Sequence, residues 1–392
     1  MLVWPTKKAL ILKSKTPEKI LNVVPSAKRF SVKGQPLVAV PHRTAETILL
    51  RNLGYDAPAP IRSYYDWPGR FKPFHAQREA AAFLSMNRRA FNLSELGTGK
   101  SLASLWAYDY LRSIGQMNKA LVISPLSTLE RTWADEIFQH FPHLTYTVLH
   151  GAKDKRIKLL KEDFDIYIIN HDGVGIIEPH LKDRTDIDLV IVDEIAQCAR
   201  NAGTTRWRKI NTVVNKHKAP RACWGMSGTP TPNAPTDAWA QCRLVVPDAV
   251  PPYFNRFKGQ VMKQLSQFQW IPKAGATETV REVMQPSVRF TRDECLDLPP
   301  LMYETRAVPL TKEQNKAYKE MVAKLRIQAD EGDITAVNEA VKMGKLVQIA
   351  CGVVYATDGT EVTIPATPRI EETRSIIHSA QGKVIVFVPF VS

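Results

Sequence analysis

The chain has 392 residues, of which 44% are apolar and 23% charged, with a formal net charge of +14. This length and balance predict folded globular material in two or three domains and exclude a disordered or fibrous chain. No apolar run approaches the roughly 18 residues of a membrane span, and Met1-Leu2-Val3-Trp4-Pro5 lacks the order of a secretion signal, so no membrane partner and a cytoplasmic location are expected.

The surplus charge is uneven. Residues 1–70 carry twelve Lys/Arg against four acids, and residues 200–221 carry seven, from Arg200 to Arg221, with no acid. Such surpluses point towards a polyanion, although each alone also fits a solvated face. Cys198, Cys223, Cys242, Cys295 and Cys351 have no C-x-x-C spacing, and His140 and His143 lack further ligands nearby in sequence. Neither a disulfide framework nor a structural metal is therefore expected.

In chain order, residues 1–70 read as a small basic α/β module. It has strand-like 9–12, a helix after Thr16-Pro17-Glu18, extended segments 30–32 and 37–40 around Gly34, and a helix from Thr44 to Leu53. Pro58, Pro60 and Pro68 mark a linker. Tyr64, Tyr65 and Trp67 are available either for stacking on nucleic acid or for packing as core.

A short strand over 89–93 and an apolar helical pattern over 102–111 flank Ser94-Glu95-Leu96-Gly97-Thr98-Gly99-Lys100-Ser101. Strand, glycine-rich loop and helix is the order that cradles nucleotide phosphates. Gly97 and Gly99 let backbone N–H groups approach the phosphates, Lys100 meets their charge, and Ser101 holds Mg²⁺ through its hydroxyl, so ATP and Mg²⁺ are the expected ligands. The strict pattern has glycine where Ser94 stands, and an ordinary glycine turn is the alternative.

Apolar runs at 120–123, closed by Ser124-Pro125, and at 166–169, 189–192 and 222–226 alternate with segments that permit helices. Repeated β-α units of this kind predict an α/β fold, a doubly wound parallel sheet with helices on both faces. The run at 189–192 ends in Asp193-Glu194, two carboxylates at the strand tip where open sheets bind ligands. This pair resembles a Walker-B site, in which Asp193 holds Mg²⁺ and Glu194 orients and deprotonates the attacking water.

Together with Ser227-Gly228-Thr229-Pro230 and Asn233, these motifs resemble, in order, those of superfamily-two helicase-like ATPases of the Swi/Snf type. The resemblance spans about 71–392. It includes Ile123-Ser124-Pro125-Leu126 with Trp133, and Arg289-Phe290-Thr291-Arg292-Asp293 leading to Leu298-Pro299-Pro300. It implies a first RecA-like lobe over 71–245, an inserted or linking element over 246–300, and the helical entry and first strand (from Gly382) of a second, incomplete RecA-like lobe over 301–392. It further implies that Gln77, after Phe71-Lys72-Pro73-Phe74, recognises adenine; that Ser227 and Thr229 couple the sites; and that Ser124, Pro125, Asn233 and Arg292 are nucleic-acid candidates.

This sequence departs from the family pattern at Ile195-Ala196-Gln197, where a small residue and histidine usually follow Asp-Glu, and at Phe290 and Arg292. The expected function is an ATP-dependent DNA translocase or helicase, a monomer on double-stranded DNA with RNA as an open alternative, and weakly active without the rest of the second lobe. The alternatives are a nucleic-acid-binding module with an inactive nucleotide pocket, or another P-loop ATPase or kinase.

Overall fold

A computed structural model describes every residue except 33, 183, 220, 268, 296–301, 331–335, 356–359 and 391–392, and describes 324–330 and 336–342 by backbone alone. The chain divides into two compact units, 1–298 and 299–392.

The first unit opens with four antiparallel strands, β1 (Leu2–Trp4), β2 (Ala9–Leu12), β3 (Lys28–Val32) and β4 (Gln35–Pro41), in the order β1-β2-β4-β3. Helices α1 (Pro17–Val23) and α2 (Thr44–Asn52) accompany them. Side chains alternate across a strand. Here Leu10, Leu12, Val38 and Val40 turn to one face and form a core with Ile20 of α1 and Leu50 of α2.

The linker that follows is bound into the lobe behind it. His42 hydrogen-bonds Tyr64 Oη and the Pro58 carbonyl, each at 2.8 Å. Tyr65 Oη donates to Asp109 at 2.5 Å, and Tyr65 and Trp67 stack edge-on with Tyr110 and Trp106. Of the two roles open to these aromatics, packing is the one adopted.

Helices α3 (Ile61–Tyr64) and α4 (His75–Met86) lead to a seven-stranded sheet. Its strands are β5 (Arg89–Asn92), β6 (Lys119–Ser124), β7 (Tyr146–Val148), β8 (Ile166–Asn170), β9 (Ile187–Val192), β10 (Ala222–Met226) and, after a small antiparallel pair β11 (Met262–Gln264) and β12 (Trp270–Pro272), β13 (Ser287–Val288). The order is β13-β5-β10-β9-β6-β8-β7, with every neighbouring pair parallel. The apolar runs are continuous because the sheet is covered twice: Leu121, Ile123, Val190 and Val192 enter one core, Ala120, Val122, Leu189 and Ile191 the other. Burying each large aliphatic side chain contributes roughly 1.5–3 kcal/mol.

Two expectations are corrected here. Residues 246–300 do not merely link lobes, because β13 within them pairs with β5, with Ser287 opposite Phe91; extended backbone beside an edge strand completes its hydrogen-bond ladder. Arg221, counted with a basic patch, is a core residue, 2% exposed. Its guanidinium donates to the carbonyls of Ile187, Val213, Leu181 and Arg184 at 2.7–3.2 Å, and tethers the approach to β9 and the helix Thr205–Asn215 to the start of β10.

The second unit holds helices Lys312–Asp330, Ala336–Cys351 and Thr367–Ser379 and a hairpin of Val353–Tyr355 with Glu361–Thr363. Gln314 caps the second helix by donating to the Ile349 carbonyl at 2.9 Å. The strand expected after Gly382 is not formed: 383–388 are exposed and carry no ladder, since extended backbone becomes a strand only against a partner. Leu298-Pro299-Pro300 lie outside the described residues.

Replacing Arg221 by Met removes the donor to the Ile187, Val213 and Arg184 carbonyls, while Leu181 keeps His217 Nε2 and the Arg184 N–H. Urea unfolding of R221M is expected to lose about 2–4 kcal/mol of stability, read as a lower midpoint at an unchanged slope. An unchanged midpoint would remove Arg221 from the core tethers.

Candidate active site

Because β10 lies between β5 and β9, the loops after these three strands meet at one edge of the sheet. The loop after β5 turns through Gly97 (φ 84°) and Gly99 (φ 76°), left-handed backbone that glycine adopts without strain. A Cβ on Gly99 would stand 2.0 Å from Gln77 Nε2 and would push the Gln77 amide aside. Gln77 is thus brought to the loop. Its Oε1 accepts the Phe74 N–H at 2.9 Å and caps α4.

The loop runs into α5 (Lys100–Ser113). Lys100 Nζ, 8% exposed as a residue, donates to the Glu95 carbonyl at 3.1 Å, which Thr98 Oγ1 also reaches at 2.8 Å. Burial lowers the Lys100 pKa, and the carboxylates of Glu194 and Asp193 oppose that fall. Ser101 stands in the first turn of α5, where N–H groups lack intrahelical partners and the helix dipole favours an anion.

Asp193 is buried and held from three sides. Its Oδ2 accepts the Trp133 indole N–H at 3.0 Å, its Oδ1 accepts the Glu194 N–H at 3.0 Å, and its carbonyl accepts His171 Nε2–H at 2.8 Å. Burial raises its pKa, against the Trp133 bond and the Lys100 charge. Glu194 adopts left-handed backbone (φ 45°), which aims its side chain towards the loop after β10. There Ser227 Oγ lies 3.4 Å from Glu194 Oε2 and accepts the Thr229 N–H at 3.2 Å. Burial, then the neighbouring Asp193, raises Glu194 too. Gly228 packs against the loop after β5: a Cβ there would lie 3.2 Å from the Leu96 nitrogen.

Several contributors escaped sequence reasoning. Ser94 Oγ accepts the Phe290 N–H at 3.1 Å, so the residue that breaks the glycine pattern fastens the segment after β13. Glu95 adds to this fastening by accepting the Arg292 N–H at 3.1 Å, with the Arg289 guanidinium 3.6 Å away. Glu136, one turn beyond Trp133, has a buried Oε2 with no hydrogen-bond partner among the described residues. Burial, with the Asp193 charge adding to it, pushes its carboxyl up to about 8. No local signal marks these roles, because each partner is distant in sequence.

Among the nucleic-acid candidates, Ser124 is fully buried at the end of a central strand, where its hydroxyl donates to the Pro125 carbonyl at 3.4 Å and accepts from Thr128 Oγ1 at 3.3 Å. Pro125 is half-buried beside exposed Leu126. Asn233 lines a groove with Arg200, Asn201, Trp239 and Phe254, and the Arg292 side chain is exposed. Ala196, at the position where a histidine usually stands, is buried, and Gln197 beside it is exposed and bonds back to the Glu194 carbonyl through its backbone N–H.

Strand order and loops define a RecA-like P-loop lobe, a sheet with its phosphate-cradle geometry at the carboxyl edge. The SNF2-related domain family matches residues 79–351, and the chain belongs to that family. Protein p41 of Acyrthosiphon pisum secondary endosymbiont phage 1 is 26% identical over 301 residues, covering 73% of this chain and 65% of the relative. The ISWI chromatin-remodeling complex ATPase ISW2 of Saccharomyces cerevisiae is 27% identical over 312 residues, covering 74% of this chain and 25% of its own. The chain therefore spans less than two thirds of either relative. The Sulfolobus solfataricus SWI2/SNF2 ATPase core in complex with dsDNA superposes with a TM-score of 0.50 at 21% identity, over 80% of this chain and 65% of that one. No helix among the described residues is long and apolar enough to cross a membrane.

Glu136 holds a proton in the fold that the unfolded chain, with an ordinary carboxyl, has released by neutral pH. Stability is therefore expected to fall as pH rises from the ordinary carboxyl range to about 8 and to level off above it. Glu136→Gln should flatten this decline, read as melting temperatures that match the wild type near pH 5 and exceed it at pH 9. Parallel profiles for the two proteins would contradict the buried neutral carboxyl.

Proposed function

We propose that this chain is the motor portion of an ATP-dependent DNA translocase or helicase-type remodeller, binding ATP with Mg²⁺ and coupling hydrolysis to movement on double-stranded DNA. The observation that carries the reading is the convergence of Lys100, Asp193, Glu194 and Ser227 at one sheet edge, with Ser227 Oγ 3.4 Å from Glu194. A buried ammonium whose hydrogen-bond acceptor is a neutral carbonyl suits an incoming phosphate.

In this reading Gly97, Thr98 and Gly99 offer backbone N–H groups to phosphate oxygens, and Lys100 exchanges the Glu95 carbonyl for them. Gln77 offers its amide to the adenine edge. Mg²⁺, held by Ser101 and Asp193, would neutralise phosphate charge. Glu194, raised by burial and by Asp193, orients water and accepts its proton. Ser227 and Thr229 relay the state of Glu194 to the following loop, while Pro125, Asn233 and Arg292 face nucleic acid. Residues 301–392 are the entry to a second RecA-like lobe. Duplex DNA as partner is supported by the complex in which the Sulfolobus core was solved and by the net charge of +14, which favours phosphate contacts that weaken with salt.

The test is ATP hydrolysis with and without duplex DNA. Turnover should rise with duplex. Glu194→Gln should keep nucleotide affinity while turnover drops by about 10² or more, and Lys100→Ala should lose nucleotide binding itself, measured with a fluorescent ATP analogue. Turnover indifferent to DNA would end the translocase reading and leave a nucleotide hydrolase. Equal turnover in E194Q would instead remove Glu194 as the base.

A further inference from the structure

Among the described residues of the first unit, the helices that pack on the N-terminal sheet lie on one face. Its core side holds Leu10, Leu12, Val38 and Val40 under α1 and α2. The pairing register fixes what the other side shows: Leu2, Ile11, Ala39 and Lys28 lie opposite one another across all four strands, and Phe30 lies opposite Leu37. On β1, Trp4 shares the Leu2 face, because the two residues are separated by one. Leu2 is 66% and Trp4 45% exposed, while Ile11, Phe30 and Leu37 are half-buried and belong to no buried cluster among the described residues.

Charge selects the occupant. The strands and turns of this sheet, residues 1–15 and 28–43, contain eight Lys/Arg and no Asp or Glu. All four acids of residues 1–70 lie outside them, and Glu18, on α1, is engaged by Arg29. An apolar centre with aromatic rings, Lys28 on the same face and no acid in its strands and turns is poorly suited to protein docking, where lysine is depleted. It is equally poorly suited to a duplex, whose bases are already stacked and whose outside is phosphate and groove edge. It matches unpaired bases, which stack on rings while neighbouring cations neutralise the backbone. Four strands, about 4.8 Å apart, give room for two or three bases.

We propose that the helix-free face of the N-terminal sheet, centred on Trp4 and Phe30, is a binding platform for single-stranded nucleic acid, separate from the nucleotide site. It does not depend on the motor reading, since nothing in the platform belongs to the loops after β5, β9 or β10.

The experiment uses the whole chain without nucleotide and follows fluorescence anisotropy of labelled oligothymidine of roughly 15 nucleotides against a blunt duplex of the same length. Trp4→Ala/Phe30→Ala should bind the single strand about ten-fold more weakly with duplex affinity unchanged, and Lys100→Ala should match the wild type on the single strand. Unchanged single-strand affinity in the double variant overturns the proposal. An equal loss on both probes overturns it in favour of duplex, and a wild-type dimer that the variant dissolves, seen by sedimentation, with single-strand affinity unchanged, overturns it in favour of a second copy of the chain. Should Phe30→Ala lower the melting temperature, photo-crosslinking of wild type to an oligonucleotide containing 5-iododeoxyuridine decides. Adducts in peptides from 1–15 or 28–43 support the platform, and adducts confined elsewhere overturn it.

Discussion

The position of β10 between β5 and β9 is the constraint on which the candidate site depends. In a parallel sheet every strand ends at the same edge, so loops far apart in sequence meet only if their strands are near neighbours. Here the interposed strand delivers Ser227 to Glu194 at 3.4 Å, and Gly228 lies against the loop after β5 closely enough that a Cβ would stand 3.2 Å from the Leu96 nitrogen. One strand thereby connects the phosphate-type loop to the paired carboxylates.

That meeting point concentrates charge in a buried place, which is costly unless the charges are opposed or hydrogen-bonded. Lys100 opposes Asp193 and Glu194, while Trp133 and the Glu194 N–H hold both Asp193 oxygens. Glu136 has no such support, and its environment favours the neutral form. Three carboxyls within one small region therefore differ in their partners: Asp193 accepts two hydrogen bonds, Glu194 accepts one from Ser227, and Glu136 Oε2 has none among the described residues.

Basic residues divide in the same way between structure and surface. The run from Arg200 to Arg221 looked uniform, yet Arg221 is spent on four backbone carbonyls, and Arg206 and Lys209 are paired with Asp172 and Glu178. Around the N-terminal sheet, by contrast, no acid lies within the strands and turns. Tyr65 and Trp67, open to either role by composition, are packed against the lobe, while Trp4, on an edge strand, is 45% exposed.

The sequence by itself determined the strands and loops of the first lobe, because a doubly covered parallel strand must be apolar throughout and a phosphate-type loop must carry glycines at left-handed positions. The motif order, Lys100, Asp193-Glu194 and Ser227 among it, was legible for the same reason: each motif is local. Tertiary structure alone decided which strand separates which, that β13 joins the sheet through Ser287 and Val288, that Ser94 and Glu95 fasten Phe290 and Arg292, that Ser124 is buried, and that Arg221 is core. Those outcomes depend on contacts between residues tens to hundreds of positions apart, and a side chain's partner at that range is set by the packed fold, not by its neighbours in the chain.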